Sequence, residues 1–363
     1  MKSETLSRKA LNRALLARQM LLAREEVSPL AAIERLVGLQ AQQAQPPFVG
    51  LWTRVANFER EALLRALHER AVVRATLMRG TLHLMSAADY LAVRGALQPG
   101  LTAGMRAVLR ERAESLDIPA LVAHAHTVFQ EGPRTFTALR GALPDADERA
   151  MGYAVRTHLP LVMVPDGSDW GFPADSDFAL AEGWLGQAPS TAVDAAPLVL
   201  RYLAAFGPAT AADAQSWAGL GGLKDVFERL RPQLWTGRDE RKRELFDLPE
   251  APRPSEDSPA PVRFVPGFDN LVLSHADRSR IIADEHRPRV VTRNLQVLPT
   301  FLVEGFVAGT WKWARGKKAA TLTVTPFGAL AKGARAQLAE EAESLLRWLE
   351  PGAERRTIEF KSA

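Results

Sequence analysis

The sequence predicts an α+β protein in which three helix-rich units precede a β-rich carboxyl-terminal region. Three times along the chain, stretches with helical spacing of apolar residues are followed by short apolar strands around a turn. Residues 249–261 then carry five prolines and are typical of a linker or an exposed loop. Beyond them, short apolar runs indicate mainly strands, so the chain changes character after residue 261.

The first unit begins with a basic helix on which leucines recur at helical spacing. Ser28 followed by Pro29 is an N-cap and first-turn pair, so it predicts the start of a second helix. We expect that helix to run on through Gln40–Gln45 and to stop at Pro46 and Pro47. The three helices and the hairpin follow the winged-helix order, and they are predicted at 7–24, 28–45 and 59–69, with strands at 72–78 and 81–85 joined around Arg79-Gly80.

The second and third units repeat this order without a fixed sequence period, so the repetition is one of architecture. The third unit has the clearest helix-turn-helix pattern, with 223–234 as its recognition helix and a basic wing at 237–243. The second unit is predicted to hold helices at 118–130, 135–143 and 147–158 and strands at 161–164 and 170–172; the third, helices at 198–206, 210–217 and 223–234.

The carboxyl-terminal region is predicted to be a small α+β domain. Its last helix is expected at about 329–349, and a tight hairpin is expected around Val303–Phe306. Four domains follow from these patterns, at 1–100, 101–190, 191–250 and 251–363. The strands of the last domain are predicted at 262–265, 271–273, 290–291, 296–303, 306–312, 319–325 and 356–360.

Composition limits the class of protein. No apolar run of the 363 residues approaches the roughly 18 that a membrane span needs, and the amino terminus lacks the apolar core of a signal peptide. We therefore expect a cytoplasmic protein. The absence of cysteine excludes disulfides, thiolate metal sites and cysteine nucleophiles. The net charge is only +4, but basic residues cluster at 238–243 and 312–318, which suits a protein with one phosphate-binding face or simply a solvated surface.

Motifs of catalysis are missing from the sequence. It has no phosphate-binding glycine loop, no HExxH and no carboxylate cluster at metal-ligand spacing. His124 and His126 lie two residues apart on a predicted helix, where they do not share a face, so no metal site is expected. Patterns alone therefore indicate a DNA-binding protein and leave a transcription regulator as the default.

Four sequence blocks point further. In chain order they resemble the AlkZ-like family of bacterial winged-helix DNA glycosylases, and the resemblance extends from about Arg8 to Arg347. Any one block has low specificity, whereas four in order are specific. The blocks are Leu36–Gln42 with Pro46-Pro47 and Gly50–Arg54; Arg79–Leu84; Val265–Asn270 with His275–Arg278; and Val303–Gly305 with Gly309–Lys312.

The resemblance implies three winged helices and a β-rich region around a DNA channel. It implies a monofunctional glycosylase that acts on bulky alkylated purines, including N7-linked interstrand crosslinks. The family's catalytic signature is a glutamine, an apolar residue and then glutamine or aspartate, which here falls on Gln40-Ala41-Gln42. No metal or organic cofactor is implied, the partner is double-stranded DNA, and we expect a monomer.

Two neutral glutamines suit this substrate. An N7-alkylated guanine already carries a positive charge, so the departing base needs no general acid. The enzyme must hold a water in line with an oxocarbenium-like sugar, and Gln40 and Gln42 each offer a carbonyl acceptor and an amide donor for that purpose. The spacing alone favours a glutamine-rich helix end exposed to water, whereas the flanking blocks favour a functional pair.

Other candidate DNA contacts come from the same blocks. Arg79 and His83 flank the first hairpin and are expected to meet phosphates, or else to be a surface arginine and a buried strand histidine. His275 and Arg278 follow a predicted strand. They belong to a DNA-facing loop, or else Asp277 and Arg278 form a surface pair that caps a helix. Aromatic and basic residues alternate into a hairpin tip that either enters a groove or packs its tryptophans in the core; the basic candidates there are Lys312, Arg315 and Lys317.

The leading hypothesis is therefore a DNA glycosylase. The alternative is a sequence-specific regulator that binds an operator as a symmetric dimer, which is less natural for three unlike modules in one chain. A third hypothesis is a catalytically silent protein that binds distorted DNA. A strong preference among undamaged sequences would distinguish the regulator from the glycosylase.

Overall fold

A computed structural model describes residues 4–141 and 148–362 and shows an α+β fold. The amino-terminal part begins with a helix capped by Ser7, whose side chain accepts a hydrogen bond from the amide of Ala10. That helix ends before the predicted Arg24, because Met20 adopts a positive φ of 55°. The elements are β1 (Thr5–Leu6), α1 (Arg8–Arg18), α2 (Pro29–Arg35), β2 (Leu39–Gln40), α3 (Pro46–Trp52), α4 (Arg60–His68), β3 (Val72–Thr76) and β4 (Leu82–Ser86).

The glutamine segment is not the end of a helix, so that prediction is wrong. α2 begins at Pro29 with Ser28 as its cap, as predicted, but the chain then turns through positive φ at Val37 (53°) and Gly38 (86°). A Cβ on Gly38 would lie 2.8 Å from the carbonyl oxygen of Leu84, so this turn requires glycine. β2 follows directly. Pro46 starts α3 instead of stopping a helix, because a residue without an N–H fits the first turn.

The second part begins with a long helix that was not predicted from the sequence. Its N-cap is Ser86, and it crosses the predicted boundary at residue 100. The helix predicted at 118–130 is confirmed, while the strand predicted at 170–172 is wrong and lies later; residues 142–147 of the predicted helices fall outside the described residues. The elements are α5 (Ala87–Leu109), α6 (Glu111–Glu114), α7 (Ile118–Gln130), α8 (Phe136–Gly141), α9 (Glu148–His158), β5 (Leu161–Met163), β6 (Phe178–Leu180) and α10 (Ala181–Leu185).

One five-stranded sheet joins these first two parts. Its strand order is β2-β4-β3-β5-β6, with all of its neighbours antiparallel. Gln40 pairs with His83 at one end of the sheet, and Arg74 pairs with Met163 nearer the other. The first and second helix–hairpin units therefore share backbone hydrogen bonds and form one body.

The third part is a compact arrangement of helices and a hairpin. A capping box between Thr210 and Asp213 fixes the start of its second helix. The predicted basic wing is the turn of its hairpin, and there Arg241 and Arg243 pair with Asp277 of the following region. β1 adds to the hairpin in parallel. The elements are α11 (Ala196–Phe206), α12 (Ala211–Ala218), α13 (Leu223–Leu230), β7 (Trp235–Asp239) and β8 (Glu244–Asp247).

The carboxyl-terminal region is a second five-stranded sheet with a helix packed against it. The strands predicted at 271–273 and 290–291 are wrong, since residues 270–272 form a 3₁₀ turn and residue 290 ends a short helix; runs of two or three apolar residues do not distinguish these structures. The sheet order is β13-β12-β11-β10-β9. The elements are β9 (Arg263–Val265), α14 (Arg287–Val290), β10 (Thr300–Val303), β11 (Phe306–Arg315), β12 (Ala319–Pro326), α15 (Lys332–Leu349) and β13 (Arg355–Phe360).

The core is continuous between these parts. One cluster of buried residues combines side chains of α1, α5, α11 and the 3₁₀ turn at 270–272. A second combines the glutamine segment and α4 with the second part and with β11, β12 and α15. Within the described ranges, no helix is both long enough and apolar enough to cross a membrane.

Candidate active site

The backbone of residues 40–42 is held at the edge of the first sheet. The amide of Ala41 donates to the carbonyl oxygen of Leu82 at 2.7 Å. Arg74, buried in β3, donates from Nε to the carbonyl oxygen of Ala41 at 3.0 Å and from Nη2 to that of Gln42 at 3.4 Å. Burial lowers the pKa of this guanidinium to about 10, so it stays charged near neutral pH. A charged side chain thus binds two backbone carbonyl oxygens of the segment and holds its backbone in place.

The amide of Gln40 is nearly enclosed and has a defined orientation. The side chain is 7% exposed, and its Oε1 accepts a hydrogen bond from Nη2 of Arg79 at 2.7 Å. Because a guanidinium can only donate, the atom facing Arg79 must be the carbonyl oxygen. The Gln40 amide nitrogen and the second lone pair of the oxygen are left for another partner.

Gln42 is exposed, in contrast to Gln40. Its Oε1 accepts a hydrogen bond from the backbone amide of Leu82 at 3.3 Å, so its amide orientation is also set by a donor. Both glutamines therefore contact the β4 region, one at the level of His83 and one at the level of Leu82. The arrangement presents two amide groups of known polarity from one short stretch of chain.

Two clefts lie on either side of the glutamine segment. The smaller, about 200 Å³, is lined by Gln43 and Gln45 together with Lys312 and Trp313 of β11. The larger, about 830 Å³, opens between the first sheet and α9 and lies within the range of small-molecule sites. Its walls combine aromatic rings with polar and positively charged side chains. They include Gln42, Arg74, Tyr153, Arg156, Phe172 and Phe178.

Arg79 lies at the turn between β3 and β4 and is committed to protein oxygens. Besides Gln40, its guanidinium donates to Oδ1 of Asn270 at 3.2 Å and to the carbonyl oxygen of Trp217. Burial, together with the charge of Arg278, lowers the pKa of Arg79 to about 10. The predicted phosphate contact does not agree with these three hydrogen bonds, which use the guanidinium inside the protein.

His83 is fully buried in β4, which corrects the expectation that it contacts DNA. Its Nδ1 lies 3.0 Å from the carbonyl oxygen of Thr81, so Nδ1 carries the proton. Burial, and secondarily the charge of Arg79, lowers the pKa of His83 to about 3. The side chain is a neutral structural histidine at neutral pH.

This histidine predicts a pH dependence of stability. Since its pKa is about 3 in the folded state and about 6.5 in the unfolded chain, only the unfolded chain gains the proton as the pH falls below 6.5. The His83 contribution is therefore complete above pH 6.5 and is lost towards pH 3, at up to about 1.4 kcal/mol per pH unit. Urea unfolding of wild type and His83→Gln between pH 7.5 and 5 measures it. A variant with the same pH slope as wild type would contradict the assignment.

His275 is buried as well, so the expectation that it faces DNA is also corrected. Its Nε2 lies 3.1 Å from the carbonyl oxygen of Phe206 and its Nδ1 lies 2.9 Å from Oγ of Ser274, and burial is the main cause of a pKa lowered to about 3. This histidine joins the carboxyl-terminal region to the third part. Arg278 is half-buried and donates from Nε to the carbonyl oxygen of His275 at 3.4 Å.

The β11–β12 hairpin packs a tryptophan in the core and exposes its basic residues. Trp311 is buried and donates from Nε1 to the carbonyl oxygen of Val265 at 3.0 Å. Lys312, Arg315 and Lys317 are exposed, and Arg315 lies 3.3 Å from a carboxylate oxygen of Glu350. The tryptophan anchors the hairpin, while the basic side chains form a surface beside the smaller cleft.

A buried ion pair that was not predicted from the sequence connects two of the motif blocks. Arg54 donates from Nη2 to Oδ1 of Asp269 at 2.8 Å and from Nη1 to Oδ2 at 2.9 Å, with both side chains buried. Oδ1 of Asp269 also accepts from the amide of Leu271 and so caps the 3₁₀ turn that carries Asn270. Among the residues that the structure describes, no cluster of three potential metal ligands is found. His124 and His126 therefore belong to no such cluster.

Comparison with known proteins adds three findings. A family model described as DNA glycosylase AlkZ-like matches residues 33–348. The chain is 28% identical over 350 residues to an interstrand DNA cross-link repair glycosylase of Streptomyces sahachiroi, covering 85% of this chain and 88% of that protein. The solved structure of Streptomyces sahachiroi DNA glycosylase AlkZ superposes with a TM-score of 0.79 at 20% identity, covering 98% of this chain and 100% of that one. This last likeness shows that the two share a fold.

Proposed function

Because the chain belongs to the AlkZ-like family of DNA glycosylases, we propose that it hydrolyses the N-glycosidic bond of bulky N7-alkylated purines, with Gln40 and Gln42 positioning the water. The observation that carries the proposal is the pair of amides with fixed polarity beside β4, of which that of Gln42 lines the larger cleft. The enzyme would be monofunctional, forming an abasic site without cutting the strand.

The chemistry requires little beyond positioning. Alkylation at N7 makes the base a cationic leaving group, and its departure leaves an oxocarbenium-like sugar that water attacks. A carbonyl oxygen of Gln40 or Gln42 can accept a hydrogen bond from that water, because each oxygen retains a second lone pair. Fixed amide dipoles cost little reorganisation as charge moves from the base to the sugar. Neutral side chains also avoid a fixed anion that would stabilise the cationic ground state as much as the transition state.

The range of lesions follows from the cleft and from the relative. A volume of about 830 Å³ is far larger than a methyl group needs, and the lining combines apolar and cationic side chains. The related Streptomyces protein is named for interstrand crosslink repair. We therefore include the unhooking of N7-linked crosslinks among the proposed activities.

DNA binding is assigned to basic residues of the carboxyl-terminal region. The exposed Lys312, Arg315 and Lys317 on the hairpin and the half-buried Arg278 would contact phosphates of double-stranded DNA. The helix–hairpin units at 1–100, 101–190 and 191–250 would act as winged helices ahead of the domain at 251–363. In this proposal the protein works as a monomer in the cytoplasm.

The hairpin residues give a measurable prediction. Lys312→Ala/Lys317→Ala is expected to weaken duplex binding and to reduce the slope of log K against log salt by about 2, because each lost phosphate contact removes about 0.9. Fluorescence anisotropy with undamaged duplex over a salt series measures both quantities. Lys332→Ala, an exposed lysine at the start of α15, is the control. An unchanged slope in the double variant would remove the hairpin from the DNA interface.

The test of the activity is an excision assay on duplexes that each carry one defined lesion. The series contains N7-methylguanine, a bulky aromatic N7-alkylguanine and an N7-linked interstrand crosslink, and alkaline cleavage reports the abasic site. We expect product from the bulky lesion and from the crosslink. No product from any of the three, together with strong preference for one undamaged sequence, would overturn the proposal in favour of a regulator.

A further inference from the structure

Arg79 joins three separate parts of the chain at the amide of Gln40. Its guanidinium donates to Oε1 of Gln40 in the first sheet, to the carbonyl oxygen of Trp217 in α12 and to Oδ1 of Asn270 in the carboxyl-terminal region. The contact with α12 is tight, since a Cβ on Gly219 would lie 3.0 Å from the backbone of Arg79. An arginine at this turn therefore holds the third part and the carboxyl-terminal region against the proposed catalytic glutamine.

We infer that Arg79 is the positioning residue of Gln40, and that it makes the orientation of this amide depend on the docking of the third part and the carboxyl-terminal region. This inference rests on the proposed function of Gln40. It assigns Arg79 no contact with the DNA.

The two ends of a glutamine side chain are nearly equal in size, so shape alone does not decide whether oxygen or nitrogen occupies a given place. The guanidinium of Arg79 decides it, since it has donors only and the Gln40 oxygen lies 2.7 Å from its Nη2. Without Arg79 the amide is free to flip, and it would present a donor where the water needs an acceptor.

The remaining contacts hold Arg79 itself in place. Asn270 is the next residue after Asp269, whose buried ion pair with Arg54 and capping of the 3₁₀ turn fix the local backbone. The Trp217 carbonyl lies at the end of α12, and the Trp217 side chain is fully buried. Three acceptors in fixed positions match the planar, forked geometry of an arginine better than the single ammonium of a lysine.

The test compares the rate of excision with the affinity for undamaged DNA. Arg79→Lys and Asn270→Leu are measured by single-turnover excision of a bulky N7-alkylguanine under saturating enzyme, and by affinity for undamaged duplex over a salt series. We expect Arg79→Lys to lower the excision rate about tenfold to hundredfold, as for the loss of a charge-assisted hydrogen bond. Asn270→Leu should lower it less. Duplex affinity should stay within about twofold, and the salt slope should not change.

A double variant separates positioning from a purely structural role. If Arg79 acts through Gln40, then Gln40→Asn, which shortens the side chain, removes the same contact. The rate loss of Arg79→Lys/Gln40→Asn should then be clearly smaller than the product of the two single losses. Multiplicative losses would overturn the inference, as would a normal rate in Arg79→Lys. Circular dichroism confirms that each variant is folded.

The inference and the proposed function fail in different ways. Retained excision by a variant lacking both Gln40 and Gln42 side chains removes the proposed function, whatever Arg79 does. Loss of excision in that variant together with an unaffected Arg79→Lys removes only the positioning role.

Discussion

Replacing Gln40 and Gln42 together by alanine is expected to lower the single-turnover rate of excision by about a thousandfold or more. A loss of this size corresponds to about 4 kcal/mol of transition-state stabilisation, comparable with the loss of a preorganised polar group in other active sites. The affinity for undamaged duplex should change little, because neither amide carries a charge that a phosphate could use. Gel quantification of abasic sites and anisotropy binding measure the two quantities on the same protein.

The neighbouring glutamine supplies a matched control. Gln43 is exposed like Gln42 but does not share the contacts that orient the pair, so Gln43→Ala should change the excision rate less than tenfold. Excision by the double variant at a rate within tenfold of wild type would show that the water is held by other groups.

The second large effect concerns stability. Asp269→Ala removes one partner of a buried ion pair and leaves Arg54 charged in the interior, hydrogen-bonded only to Gly50 and Gln19. Such a change costs about 3–5 kcal/mol, because the remaining charge loses its partner without regaining water. The free energy of unfolding in urea, measured at pH 7, should fall by that amount.

An exposed ion pair is the appropriate comparison. Lys318 and Glu354 approach to 2.7 Å but are 70% and 65% exposed, so Glu354→Ala should cost less than about 1 kcal/mol. Equal losses from Asp269→Ala and Glu354→Ala would show that burial of the Arg54 pair contributes nothing.

Elements set by local chemistry were predicted well from the sequence. The cap formed by Ser28 and Pro29 identified the start of α2, and the amphipathic pattern of residues 118–130 gave the bounds of α7. The hairpin around Arg79 and Gly80 was also recognised from its turn residues.

Elements whose conformation depends on distant contacts were not predicted correctly from the sequence. The stretch 38–45 has helical composition, but the positive φ at Gly38 and pairing with β4 turn it into a strand edge, and that pairing depends on residues more than forty positions away. The same cause explains β6, which lies at Phe178–Leu180 because it pairs with β5 and not because of its own sequence.

In the candidate site, too, some residues were predicted from the sequence and others were not. Motif resemblance pointed to Gln40, Gln42 and the hairpin, and in the structure Gln42 lines the larger cleft while Lys312 of the hairpin lines the smaller one. It did not distinguish exposed from buried residues within the motif blocks, so it left open whether His83 contacts DNA or is buried and placed His275 in a DNA-facing loop, whereas both lie in the core. Arg74 lies in no motif block, and Asn270 ends one without a predicted role, because the contacts of both involve a carbonyl or a guanidinium from another part of the chain.

Hydrolysis of the N-glycosidic bond is tested by identifying what the protein releases from damaged DNA. Wild-type protein is incubated with a duplex that contains one bulky N7-alkylguanine, and the small-molecule fraction and the DNA are analysed by mass spectrometry. A monofunctional glycosylase should yield free alkylated base in the first and an intact strand with one abasic site in the second. Recovery of the unchanged duplex under conditions where the protein is bound would contradict this prediction.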